Sequence, residues 1–162
     1  MHDSVELKSL ARKCGKGSRD SQKKFYMHYH AFGLRICLRY TSSRDCAIQI
    51  LNESFYIFFT NTNLTDKDSS IENQLRKIIL NSVIDDYHQS KKGEFGDQNE
   101  PPMPENDTLS MLQSLPDLDR IIFNLHVVDG YSHQQIAKEL GIHVKQSELR
   151  LQAARIALKL LF

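Results

Sequence analysis

Glycine and proline fall almost entirely outside the periodic segments of this 162-residue chain, and that placement limits its fold more than any single motif. Gly15, Gly17, Gly93, Gly96, Pro101, Pro102, Pro104, Pro116, Gly130 and Gly141 all stand at segment boundaries, and only Gly33 interrupts a periodic stretch. Helix interiors tolerate these two residue types least, so the pattern predicts helices of ordinary length joined by short connections. The expected class is all-α.

The apolar spacing agrees. A first helix is expected over Asp3 to Cys14, closed by Gly15 just past its end. A second runs from a capping Asp20 to Tyr40, with Phe25, Tyr29, Phe32, Ile36 and Tyr40 at intervals of three and four. A third covers Asp45 to Phe59 through Ala47, Leu51, Phe55 and Phe58. A fourth covers Ile71 to Gln89 through Ile71, Leu75, Ile78, Ile79, Val83 and Tyr87. Four amphipathic helices can enclose one core, so residues 3–92 are expected to form a small helical domain.

Charge separates along the chain although the formal total is only +1. Residues 1–44 hold ten Lys and Arg against three Asp and Glu, and the remainder is net acidic. Residues 93–107, GEFGDQNEPPMPEND, carry five acids, three prolines and no base. Such a segment has too little apolar surface to offset its ordering entropy, and it is expected to be a flexible linker between independently moving domains. The longest apolar run, Phe55 to Phe59, falls far short of the ~20 residues of a membrane-spanning helix, so no membrane insertion is expected. No signal-like pattern precedes Ser4-Val5-Glu6-Leu7. Cys14, Cys37 and Cys46 are odd in number and lack CxxC spacing, which fits thiols in a reducing cytoplasm.

Residues 108–162 read as a second helical domain. Pro116 sits where a helix begins, Asp117 and Asp119 suit its positive end, and Ile121, Ile122, Leu125 and Val128 are expected on its inner face before Gly130. Ser132-His133-Gln134-Gln135 is a Ser-x-x-Gln capping box. Ile136, Ala137 and Leu140 face inward, Gly141 makes the turn, Ile142 plugs the junction, and a last helix runs from Val144 to Leu161. A short helix, a tight glycine turn and a longer helix make the helix-turn-helix pattern.

Leu115-Pro116, Arg120-Ile121-Ile122-Phe123, Gly130-Tyr131-Ser132, Ile136-Ala137 and Leu140-Gly141-Ile142, followed by Arg150-Leu151, Ala154-Arg155 and Leu158, resemble the C-terminal promoter-reading domain of extracytoplasmic-function sigma factors. Phe25-Tyr26, Ile36-Cys37-Leu38-Arg39-Tyr40, Leu51-Asn52-Glu53-Ser54-Phe55, Arg76-Lys77-Ile78, Asn81, Ile84-Asp85 and Tyr87 resemble the same family's core-binding domain, in the same order. The resemblance implies a sigma region 2-like four-helix domain at 3–92, an acidic linker at 93–107 and a region 4-like helix-turn-helix domain at 108–162. It implies binding to the core of bacterial RNA polymerase and to promoter DNA, with an anti-sigma factor as a further partner. Gln49, Asn52 and Glu53 fall where relatives meet polymerase. Asn61, Asn63, Lys67, Arg76, Lys77 and Asn81 fall where relatives meet the melted strand. Ser132, Lys145, Gln146, Arg150 and Arg155 fall on the expected duplex-binding side. The chain departs from the family pattern at Ile48-Gln49 and Asn52, where a Glu-Asp pair and a Gln are usual. It departs again at Gln146-Ser147-Glu148, where Thr, Val and Lys are common, and at Ala153, where an Arg is common.

The residues argue against an enzyme. Asp85 and Asp86 are adjacent on a helix and diverge, His28 and His30 do not converge on a metal, and no Gly-rich phosphate loop or nucleophile pattern accompanies them. No catalytic residue, metal or cofactor is therefore expected. His133 is expected on the surface. Two competing readings share the same helices: a helix-turn-helix regulator whose N-terminal domain binds an effector or dimerises, and a sigma-like protein that binds a partner without initiating transcription.

Overall fold

The computed structural model describes residues 2–61, 69–92 and 108–159. Among them the regular structure is helical, with no strand: α1 (His2–Gly15), α2 (Arg19–Tyr40), α3 (Arg44–Thr60), α4 (Ile71–Lys92), α5 (Thr108–Gln113), α6 (Asp117–Phe123), a π-helical turn (Asn124–Val128), α7 (His133–Leu140) and α8 (Val144–Lys159). The segment 93–107 lies outside the described residues, as do Asn63 and Lys67. The helix ends lie within one to three residues of those expected from spacing, and serines cap the starts of α2, α3 and α4. Ser18 Oγ accepts from the Ser21 N–H at 3.4 Å, so Ser18 rather than Asp20 caps α2. Ser43 Oγ accepts from the Cys46 N–H at 3.2 Å and Ser70 Oγ from the Asn73 N–H at 3.2 Å, which start α3 and α4. Gly15 lies inside α1, and Gly17 takes the left-handed conformation at φ 82°. Thr108–Gln113 adds a short helix where none was expected.

The chain divides into two compact units, residues 1–37 with 47–83, and residues 38–46 with 84–162. The first unit closes around aromatic rings. Phe25 is fully buried, stacked on Phe58 at 4.6 Å between ring centres, with Tyr29 at 4.7 Å and Phe55 edge-on at 6.2 Å. Phe32, expected in the core, is only half-buried, and its ring carries the Arg76 guanidinium at 5.9 Å. Gly33, the one glycine inside a periodic segment, has a packing reason: an added Cβ would lie 2.5 Å from Leu51 Cδ1 and 3.4 Å from Ile79 Cδ1. Ser54 donates to the Ile50 carbonyl at 2.7 Å and meets Ser82 at 3.2 Å, so α3 and α4 approach through small polar side chains. Cys14 and Cys37 are buried free thiols, pushed by that burial up to about 11 and about 12.

The second unit packs Leu112, Leu115 and Ala154 against Phe123, Ala157 and Leu158, and buries Ile121, Ile122, Leu125, Ile136, Leu140 and Leu151. Arg120 lies at its centre, 2% exposed. Its guanidinium donates to the carbonyls of Gln113 at 3.1 Å, Leu115 at 2.7 Å and Tyr40 at 3.1 Å, and to the Asp117 carboxylate. Burial works against its charge and Asp117 works for it. The last carbonyls of a helix have no partner within it. Gln113, Asn124 and Arg120 supply side-chain donors to Leu38, Arg39 and Tyr40 at 3.2, 2.8 and 3.1 Å. Val128 departs from its expected inward position and is 42% exposed. The π turn is the cause. The Asp129 N–H bonds the Asn124 carbonyl at 3.0 Å, a five-residue step that accommodates one more residue per turn and rotates the following side chains outward.

Candidate nucleic-acid interface

The helix-turn-helix is built from local signals that act as the spacing suggests. Ser132 Oγ accepts from the Gln135 N–H at 3.2 Å while Gln135 Oε1 accepts from the Ser132 N–H at 2.8 Å, a complete capping box at the start of α7. Ser132, expected on the DNA side, therefore has a capping role in addition to any contact. Gly141 turns the chain at φ 63°, ψ 40°, where a side chain would be strained, and the Ile142 N–H closes on the Ala137 carbonyl at 3.0 Å. Ile136, Ala137 and Leu140 of α7 are buried, as is Leu151 of α8.

Helix α8 buries Ser147, Leu151 and Ala154 and leaves the opposite side open. Lys145, Arg150 and Arg155 are exposed and Gln146 is half-buried. Lys145 pairs with Glu148 at 3.4 Å. Arg150 reaches back to Asp119 of α6 at 3.4 Å, and the arginine opposes the rise in the Asp119 carboxyl that burial causes. The two arginines leave the helix on different sides, as their five-residue separation requires. His133 is not a simple surface residue. Its ring stacks on His126 at 4.3 Å and 15°, and its Nδ1 lies 2.9 Å from the Oγ of buried Ser147. Burial and His126 hold its imidazole below the ordinary range, with Glu148 pulling the other way.

In the first unit, Asn52 and Glu53 of α3 are exposed together with Gln49, and the three share one helix face with Tyr56 and Thr60 at steps of three and four. Tyr56 is 69% exposed. It is not among the expected polymerase-facing residues, although its spacing from Gln49 and Glu53 is a signal that could find it. On α4, Asn73, Lys77 and Asn81 form an exposed stripe at intervals of four, and Arg76 lies beside it over Phe32. Asn61 is exposed just after α3, its N–H bonded to the Ile57 carbonyl at 3.0 Å. Among the described residues, no group of three or more His, Cys, Asp or Glu is placed to hold a metal ion, and no helix is long and apolar enough to cross a membrane.

Residues 106–158 match the family described as sigma-70, region 4. That match takes in about a third of the chain. The helix-turn-helix, α7 through α8, begins within that match. No curated protein matches the sequence. Among solved structures, the chain is similar to CnrH, determined in complex with the cytosolic domain of CnrY, at 18% identity and a TM-score of 0.48, over 94% of this chain and 94% of that one.

Within the sigma-family domain, the positions that depart from the pattern are accounted for differently by the structure. Ser147, where Val is common, is buried and meets His133, so that change belongs to the joint between α7 and α8. Gln146 is half-buried, and Glu148 and Ala153 are exposed, so the last two positions shape the outer surface of α8.

Proposed function

We propose that this protein is an extracytoplasmic-function-type sigma factor: it binds the core of bacterial RNA polymerase and directs it to promoters. In this reading residues 3–92 and 108–162 act as two domains joined by the acidic linker 93–107. Gln49, Asn52, Glu53 and Tyr56 of α3 meet polymerase, while Asn61, Arg76, Lys77 and Asn81, with Asn63 and Lys67 of the adjoining loop, meet the melted strand. Helix α8 enters the duplex, and the protein works in the cytoplasm under the control of an anti-sigma factor. The observation that carries the proposal is the state of α8. It is the second helix of a sigma region 4 helix-turn-helix, and its outer side is open to solvent along its length.

Co-purification with bacterial core polymerase, followed by run-off transcription on genomic fragments, tests the proposal. A stable complex that yields discrete start sites is the expected result. Absence of a complex favours the helix-turn-helix regulator, and a complex without start-site-specific transcripts favours the binding-only homologue.

The electrostatic share of duplex binding has its own test. Replacing Lys145 and Arg150 together by Ala is expected to weaken binding and to flatten the plot of log affinity against log salt by about 0.9 for each phosphate that is no longer neutralised. Titration at several salt concentrations reads this directly. An unchanged slope would place the phosphate-binding cations elsewhere on the chain.

A further inference from the structure

The centre of the open face of α8 is not basic. Leu149, Gln152, Ala153 and Ile156 follow one another at i, i+3, i+4 and i+7, and all four are exposed, with Leu149 and Ile156 each 54% exposed. At 3.6 residues per turn they point away from buried Ser147, Leu151 and Ala154 and form one ridge. The same i, i+3, i+4, i+7 set is the one a homeodomain's third helix uses to read the major groove. Charge lies to the sides. Arg150 sits roughly 100° around the helix from Leu149 and is engaged with Asp119, and Arg155 sits roughly 120° around in the other direction. Lys145, one turn before Leu149 and in line with it, is the exception and is paired with Glu148, which shares the flank of Arg155, while Lys159 is exposed beside Ile156 on that same flank.

We propose that this ridge makes α8 a reader of A·T base pairs, with Leu149, Ala153 and Ile156 packing on thymine methyl groups and Gln152 hydrogen-bonding adenine. The inference rests on the sigma-factor reading, in which α8 meets duplex DNA, and specifies what it reads there. The chemistry follows from the residue types. The thymine C5-methyl is the apolar feature of the major groove, and Gln pairs bidentately with adenine N6 and N7. Guanine is most often read by Arg or Lys placed over its O6 and N7, and the centre of this ridge has neither. The exposed cations Arg155 and Lys159 on one flank suit the phosphate wall of a groove better than the surface of a protein partner. The ridge from Leu149 to Ile156 is about 10 Å long, which matches about three base-pair steps.

The test uses the full chain assembled with bacterial core polymerase and a pool of duplexes randomised through the upstream promoter box. Recovered duplexes are expected to carry three or four consecutive A·T pairs. Replacing their thymines by deoxyuracil removes only the methyl groups and is expected to weaken retention about fourfold per methyl, the equivalent of roughly one buried CH2. L149A and I156A, both surface changes, are each expected to lower the preference for thymine over uracil duplexes by up to about fourfold, the share of one methyl, and Q152A to lose the preference for adenine at one position. Circular dichroism on each variant checks that α8 remains folded. Enrichment of G·C pairs, or equal retention of thymine and uracil duplexes by the unaltered chain, overturns the inference while leaving the sigma-factor reading in place. A chain that joins no polymerase or enriches no duplex overturns that reading and the inference with it.

Discussion

Replacing Arg120 by Ala is expected to destabilise the second unit by about 3–5 kcal/mol, the range seen when one partner of a buried charged network is removed. The guanidinium is 2% exposed and serves the carbonyls of Tyr40, Gln113 and Leu115 together with the Asp117 carboxylate. Truncation leaves those carbonyls short of donors in a site with little access to water, each at a cost of about 1–3 kcal/mol, and opens a cavity as well. The ion pair itself contributes little, because the Asp117 side chain is 65% exposed and water solvates it once the arginine is gone. D117A is therefore expected to cost no more than about 1 kcal/mol. Urea unfolding of the two variants separates the contributions. Equal losses in R120A and D117A would show that the carbonyl hydrogen bonds matter less than the charge pair.

In the first unit the corresponding change is F25A, expected to cost about 3–5 kcal/mol. Phe25 is fully buried and touches rings on two helices: Tyr29 of its own helix, and Phe55, Phe58 and Phe59 of α3. Removing it takes away the stacked partner of Phe58 and leaves a hole that these planar rings cannot close without leaving their rotamers. Met27, two residues along the same helix, is 71% exposed, and M27A is expected to stay within about 0.5 kcal/mol of the unaltered chain. The shift of the denaturation midpoint measures both. A Phe25 loss no larger than that of Met27 would mean the cluster repacks.

Where a single local interaction decides the structure, the sequence is a good guide. The Ser132–Gln135 capping box, the left-handed Gly141 and the inward Ile136, Ala137 and Leu140 all lie where spacing puts them. Phe25, Tyr29, Ile36 and Tyr40 are buried as a helical stripe should be. Phe32 lies on the same stripe but stays half-exposed under Arg76, because spacing reports direction and not what covers the side chain. Val128 differs for another reason. A change from four-residue to five-residue hydrogen bonding leaves no mark in side-chain chemistry, so spacing predicts a regular helix through a turn that is not regular. Arg120 is named by the family resemblance, yet its burial depends on carbonyls up to eighty residues away. On α3 the spacing alone suffices for Tyr56, since the residue completes the face of Gln49 and Glu53. A tyrosine within the apolar run of 55–59 nevertheless reads as core, which hides it.

The different settings of the three cysteines give the natural chain a built-in handle for spectroscopy. Alkylating reagents attack thiolates, and Cys14 and Cys37 are both shut from solvent and hard to ionise, which leaves half-buried Cys46 as the reactive site. Cys46 stands two turns before Glu53 on the same side of α3. A single maleimide fluorophore attached there, with no engineered mutation, would sit beside the Gln49–Glu53 face that the proposed function gives to polymerase, and binding there would be read as a change in anisotropy.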